Sequence, residues 1–175
     1  MAVLVSAARL SARRREGVAF VMDISRYKAT ERRLGAELAV ADALSSTPDP
    51  DAAFAAVARA IGEHLPWHSV AIWTTESYGP RLRARHGESR LAVEVATQLI
   101  VRALPAGDDV AWNGWTGSGV VPLGRAGALL VEDAEAFGGF SDQSPDPDRL
   151  VTTRVVAARV RTWVEERLEG WEITR

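Results

Sequence analysis

Two stretches of nearly the same chemistry, Thr47-Pro48-Asp49-Pro50-Asp51 and Ser144-Pro145-Asp146-Pro147-Asp148, mark two helix starts and divide the chain. In each, an aspartate (Asp49, Asp146) can accept from an early helical N–H, and the proline after it (Pro50, Pro147) suits the first helical position, where no N–H is needed. The second aspartate (Asp51, Asp148) then lies near the positive end of the helix dipole. Repeated acids could suggest a calcium loop, but the prolines and the missing glycine argue against one. From the first start, Phe54, Val57, Ile61 and Leu65 recur at helical spacing until Pro66 ends the run. From the second, the pattern predicts a helix from Pro147 to about Leu168, with Val151, Val155, Ala158, Trp163 and Leu168 on its buried side.

Between these helices the punctuation is denser. Trp67 to Thr75 reads as a strand and Arg81 to His86 as another, with Leu82, Ala84 and His86 on one face and Gly79-Pro80 turning between them. Ser89 opens a helical stretch, LAVEVATQLIVRAL, that Pro105 stops. Asp109 to Trp112 is a short strand candidate, and Gly119 to Leu123 pairs with Ala128 to Glu132 through the turn Gly124–Gly127. Helices and antiparallel strands gathered into one sheet predict an α+β layered domain.

Upstream, the apolar runs Val3–Leu10 and Val18–Ile24 flank the polar stretch SARRREG and read as a hairpin closed at Gly17. A lone hairpin is marginal in water and must lean on something. Ser25 is a plausible N-cap for a helix over 26–46, along which Tyr27, Leu34, Leu38, Ala41 and Leu44 form one narrow apolar stripe. A narrow stripe suits a two-helix seam better than a broad core face. Gly35 within it weakens the helix by up to about 1 kcal/mol against alanine. The chain thus divides into 1–25, a linker helix over 26–46, a domain over 47–168 and a tail over 169–175.

Composition sets bounds on chemistry. Apolar residues are 47% and charged residues 25% of 175, an ordinary globular balance. The absence of cysteine excludes disulfides, thiolate metal sites, a cysteine nucleophile and any pigment held by a thioether. No apolar run approaches the roughly 20 residues that span a bilayer, and the opening segment lacks the order of a secretory signal. The reading is a cytoplasmic chain that binds neither membrane nor nucleic acid. A net charge of −2 fits that reading. Basic residues do crowd the start (Arg9, Arg13, Arg14, Arg15, Arg26, Lys28, Arg32, Arg33), and they read as a turn tip and a solvated helix face rather than a phosphate-binding patch.

GVAFVMDISRYKATERRL at 17–34 resembles the end of a PAS domain, which finishes with a strand, an Asp-Ile-Thr-like triplet (here Asp23-Ile24-Ser25) and a charged helix. On that resemblance, 1–25 would be the last strands of an incomplete PAS domain and 26–46 a signalling helix. The remainder resembles a GAF domain in three places: ELAVADALSSTPDPDAAFAAVARAIGEHL as the opening helix pair, WHSVAIWTTE as the first strand, and VVPLGRAGALLVED as the late hairpin. The resemblance implies a six-stranded antiparallel sheet. First and last helices would lie on one face, where such domains dimerise, and a pocket under loops and the middle helix on the other. It implies sensing rather than turnover, as the input of a bacterial two-component sensor histidine kinase or similar regulator, with an effector elsewhere in a longer chain. The homodimer is expected through Tyr27, Leu34, Leu38, Ala41 and Leu44 of the linker helix and Trp163 of the terminal helix.

Little else in the sequence carries chemistry. His64 and His68 are separated by Pro66 and cannot share a helical face as zinc ligands do; no metal site is predicted. His86 ends a strand that would face the pocket, and because some GAF domains hold haem through a histidine it is a candidate axial ligand; no other cofactor is expected. GWTGSG at 114–119 does not follow a strand and open a helix, so it fails as a dinucleotide loop. No serine-hydrolase elbow is present. The acidic pairs Asp108-Asp109 and Glu165-Glu166 read as turn and solvated face. The signature with which some GAF domains bind cyclic nucleotides cannot be assembled, since Lys28 lies in the linker. Trp73, Trp112 and Trp115 could line a pocket where a flat apolar ligand stacks, with His86 beside them; the alternative is that they are core. The main expectation is a non-catalytic sensory module. The alternative is a small free-standing enzyme on a GAF-like scaffold, although relatives that reduce methionine sulfoxide do so with cysteines.

Overall fold

The computed structural model describes residues 2–9, 17–106, 110–133 and 146–171. Four of the features read above fall outside them in whole or part: the loop SARRREG, the Asp108-Asp109 pair, Ser144-Pro145 and the end of the tail.

Strands β1 (Val3–Arg9) and β2 (Gly17–Asp23) form the expected hairpin, with register from Val3 opposite Asp23 to Arg9 opposite Gly17. Helices α1 (Ser25–Ser46) and α2 (Pro50–His64) follow. Then come β3 (Ser69–Glu76), β4 (Gly79–Gly87), α3 (Val93–Ala103), β5 (Ala111–Asn113), β6 (Ser118–Pro122), β7 (Gly127–Glu132) and α4 (Pro147–Trp171). Five strands, in the order β4-β3-β7-β6-β5 and antiparallel throughout, make the main sheet. The six implied by family resemblance are corrected to five among the described residues, and the hairpin stays apart from them.

The sheet separates two cores. On one face Val70, Ile72, Ala84, Val121, Leu129 and Val131 meet α1, α2 and α4; on the other Ala71, Trp73, Val120, Ala128 and Leu130 meet α3 through Ala96, Ile100 and Ala103. The central strands are therefore apolar at both parities, which is why they read as continuous runs. At the β6–β7 turn, Gly127 has φ +149, and a Cβ there would stand 1.9 Å from the Trp73 carbonyl oxygen. Only glycine lets β7 pass so close to β3.

Both helix starts form as their chemistry requires. Asp49 accepts from the Ala52 N–H at 2.9 Å, and Asp146 accepts from the Asp148 N–H at 3.0 Å. Ser25 does not play that part. It is the first helical residue; its N–H donates to Asp23 Oδ1 at 2.8 Å, and its hydroxyl oxygen accepts from the Ala2 N–H at 2.8 Å. The carboxylate two residues back is the better acceptor, which frees the serine to clasp hairpin to helix. The Ser25 side chain and then its backbone hold the Asp23 carboxyl below its ordinary value.

The buried side of α4 differs from the one its apolar pattern predicts, and α1 keeps most of its apolar stripe outside the core. Along α1, Ala36, Val40, Ala43 and Leu44 are buried, whereas Tyr27, Leu34 and Leu38 are 69%, 54% and 71% exposed and Ala41 is half-buried. Small side chains let α1 lie close on α2, so the inward face carries little bulk and the large residues point away. Along α4, Val156, Ala157, Val160 and Val164 are buried; Val151 and Ala158 are exposed and Val155 half-buried, while the Leu168 side chain lies outside the described residues. Thr152 and Thr153 mask this face, since both are buried after donating to the Asp148 and Arg149 carbonyls. Trp163 packs on helices rather than on the sheet, edge-on to Phe54 at 5.8 Å with its Nε1 donating to the Leu44 carbonyl at 3.0 Å. Glu37 meets Arg159 and Leu44 meets Trp163, so α1 and α4 run parallel.

Two histidines pack into helical glycine notches. A Cβ on Gly35 of α1 would lie 2.6 Å from the His64 ring, and one on Gly62 of α2 would lie 2.2 Å from the His86 ring. Each ring joins one layer to the next: β4 to α2 through His86, α2 to α1 through His64. We predict that Gly62→Ala, which by helix propensity alone would stabilise by about 1 kcal/mol, instead costs about 1–3 kcal/mol by overpacking. In a His86→Ala background the same change should become stabilising. Urea denaturation of the four proteins of this double-mutant cycle measures the sign reversal.

Candidate functional site

The four residues proposed for a pocket do not converge. Trp73 is 3% exposed on the α3 side of β3. Trp112 lies on the opposite face, tilted against Trp67 at 6.3 Å and laid across Gly119. His86 pairs with Val70 and presses its ring on Gly62, so it faces α2 and not the side where Trp73 lies. A haem on its Nε2, 2.9 Å from the place of a Gly62 Cβ, would have to displace that helix. Trp115 is 72% exposed in the turn after β5. A register shift between Ile72 and Trp73 also splits the expected β4 face: Ala84 packs toward α2 and Leu82 toward α3. The residue at the shift, Arg83, reaches Asp51 at 2.8 Å and lies over the Phe54 ring.

What the α3 face does bring together is a polar row. Ser69 opens β3, Ser118 opens β6, and Glu132 closes β7 between them; the register sets Glu132 opposite both serines. Alternation along each strand aims all three side chains where Ala71, Val120 and Leu130 point, toward α3. Ser69 and Ser118 are 1% exposed and Glu132 3%. Glu132 Oε2 accepts from the Arg90 N–H at 2.9 Å, which fastens the connection between β4 and α3 to the sheet. Ser118 Oγ shares a 2.6 Å hydrogen bond with Thr116 Oγ1. Glu132 Oε1 and Ser69 Oγ are buried with no hydrogen-bond partner among the described residues, and so is Trp73 Nε1 on the same face of β3. Buried polar atoms without partners cost about 1–3 kcal/mol each.

Glu132 escapes a sequence reading because an acid that ends an apolar strand looks like solvated punctuation. Its parity with Ala128 and Leu130 was the available signal. The neighbouring acid, Asp133, does pair: Arg149 reaches it, donates to the Pro66 carbonyl at 2.7 Å, and covers the Trp67 ring, pinning the start of α4. Among the described residues, no group of three or more His, Asp or Glu side chains is placed to share a metal ion, and no helix is long and apolar enough to cross a membrane.

The sequence matches no protein-family model and no curated protein. Solved structures do match. The GAF domain of a candidate sensor histidine kinase from Pseudomonas syringae pv. tomato is similar with a TM-score of 0.63 at 16% identity, over 85% of this chain and 97% of that one. The GAF domain of a phosphoenolpyruvate-protein phosphotransferase from Coxiella burnetii gives 0.65 at 13% identity, over 80% and 97%. The free methionine-R-sulfoxide reductase of Neisseria meningitidis, solved with its substrate, gives 0.62 at 17% identity, over 82% and 93%. The architecture is that of a GAF domain.

If the polar row is kept for a purpose other than stability, removing its orphaned groups should not weaken the fold. Ser69→Ala is expected to match wild type or exceed it by up to about 2 kcal/mol in urea denaturation. A loss of similar size would instead mean that the hydroxyl is satisfied in solution.

Proposed function

We propose that this chain is a non-catalytic sensory module: it takes a small ligand on the α3 face, dimerises through α1 and α4, and passes a conformational signal to an effector in a longer chain. The observation that carries this reading is the division of labour between the faces of one sheet. On the α3 side two buried polar atoms without partners among the described residues, Glu132 Oε1 and Ser69 Oγ, belong to residues paired across β7 and β3. On the other side such an atom, Trp112 Nε1, stands on an aromatic ring packed in the core. The other side carries α1, whose outward residues Tyr27, Leu34 and Leu38 are large, apolar and exposed in a single copy. Exposed apolar stripes of this kind mark protein contacts more often than solvent faces.

On this reading the hairpin is the end of a PAS domain, and α1 a signalling helix whose second half is already part of the domain core. The fold likeness to GAF domains of a candidate sensor kinase and of a phosphotransferase supports a regulatory role rather than turnover, which we place in a cytoplasmic two-component or similar system. The likeness to a sulfoxide reductase does not favour an enzyme here, because the cysteines on which the family resemblance places that chemistry are missing from this chain. No nucleic acid or membrane is proposed as a partner.

Sedimentation velocity tests the assembly. Wild type is expected as a dimer at micromolar concentration, and Leu34→Glu with Leu38→Glu as a folded monomer with an unchanged circular dichroism spectrum. A wild type that sediments as a monomer, or a double variant that still dimerises, would sink the proposal for α1.

A further inference from the structure

We infer that the ligand of the α3 face is a small organic cation, an amine or amidine, whose N–H groups are held by Glu132 Oε1 and Ser69 Oγ. The inference rests on the α3 face being the ligand side, and adds to it the ligand's chemistry.

The argument starts from what the row lacks. An ionised carboxylate only accepts, and one of the two Glu132 oxygens has its donor in the Arg90 N–H at 2.9 Å. The other oxygen is buried without one, beside a serine hydroxyl in the same condition. Burying a carboxylate with half its acceptors unmet is costly unless a donor arrives. An anionic group placed there would meet Glu132 with no water to screen it, so anions are disfavoured. Calcium is a poor match as well, since it takes six to eight oxygens and the row offers a single carboxylate. A water could bridge the two atoms; that is one of the outcomes below.

Away from the row the face turns apolar. Ala71, Ala128 and Leu130 lead along the sheet to Trp73, under Ala96, Ile100 and Ala103 of α3. The fitting ligand has a donor-bearing cationic head at the Glu132 end and a compact apolar body. The connection between β4 and α3 borders this end of the face and is fastened to the same carboxylate through Arg90. A head group on Oε1 would draw on the charge that holds this connection at Oε2, so occupancy at the row reaches α3 directly.

The test uses the full chain and three probes of one shape: benzamidinium, neutral benzamide and benzoate. Each is titrated while the Trp73 indole N–H and the Arg90 backbone N–H are followed by nitrogen–proton NMR. Benzamidinium is expected to shift both signals saturably, benzoate to shift neither. Glu132→Gln is expected to weaken benzamidinium by roughly ten- to a hundredfold, the value of a hydrogen bond to a charged group. Ser69→Ala should weaken it less, and guards against a Gln variant that fails to fold. Benzamide binding as tightly as benzamidinium, or affinity indifferent to both substitutions, overturns the cation while leaving the α3 face as a ligand side. If no probe moves either signal, both ideas fail together, and a bridging water is the occupant of the row.

Discussion

A sheet whose middle strands are apolar on both sides cannot be left open to water on either. Each residue of β7 from Gly127 to Glu132 is buried, as are the first five of β3, and that requirement places every helix. Three helices cover one side and one covers the other. At roughly 25 cal/mol per Å² of apolar surface removed from water, such two-sided burial is the dominant favourable term in a chain with no cross-link to assist it. The cover is asymmetric. A side sealed by α1, α2 and α4 is mechanically continuous, whereas a side closed by α3 alone has a short helix and one tethered connection between it and solvent.

The order of elements was legible because its signals are local. Asp49 and Asp146 announce helices through hydrogen bonds that close within three residues, and Pro66, Pro105 and the glycine turns end runs where backbone donors or dihedral freedom demand it. The facing of α1 and α4 was less legible. The stripe of α1 reads as a seam, and its core face stays hidden in the sequence because that face is built mainly from alanine and valine where α2 lies close; the inner face of α4 includes threonines whose hydroxyls turn back on their own helix. Distance between layers is a tertiary fact, and it decides which face can afford large side chains.

The site was least legible of all. Histidine and tryptophan were singled out because their chemistry is versatile, but His86 serves as a spacer in a glycine notch and Trp112 spans another glycine. The register shift in β4, invisible in composition, sends Leu82 and Ala84 to different sides. The row of Ser69, Glu132 and Ser118 exists only through cross-strand pairing of residues tens of positions apart. No spacing along the chain could have joined them.

The parallel course of α1 and α4 gives the module a polarity. The start of α4 lies beside Ala29 and Arg32 in the first turns of α1, and α4 extends 25 residues, about 37 Å at 1.5 Å per residue. A twist applied where Ser25 clasps Ala2 enters at one pole, and the far end of α4 lies at the other. Two rods bound side by side by Arg159, Glu37 and Trp163 are coupled along their length, so a rotation of one would draw the other with it.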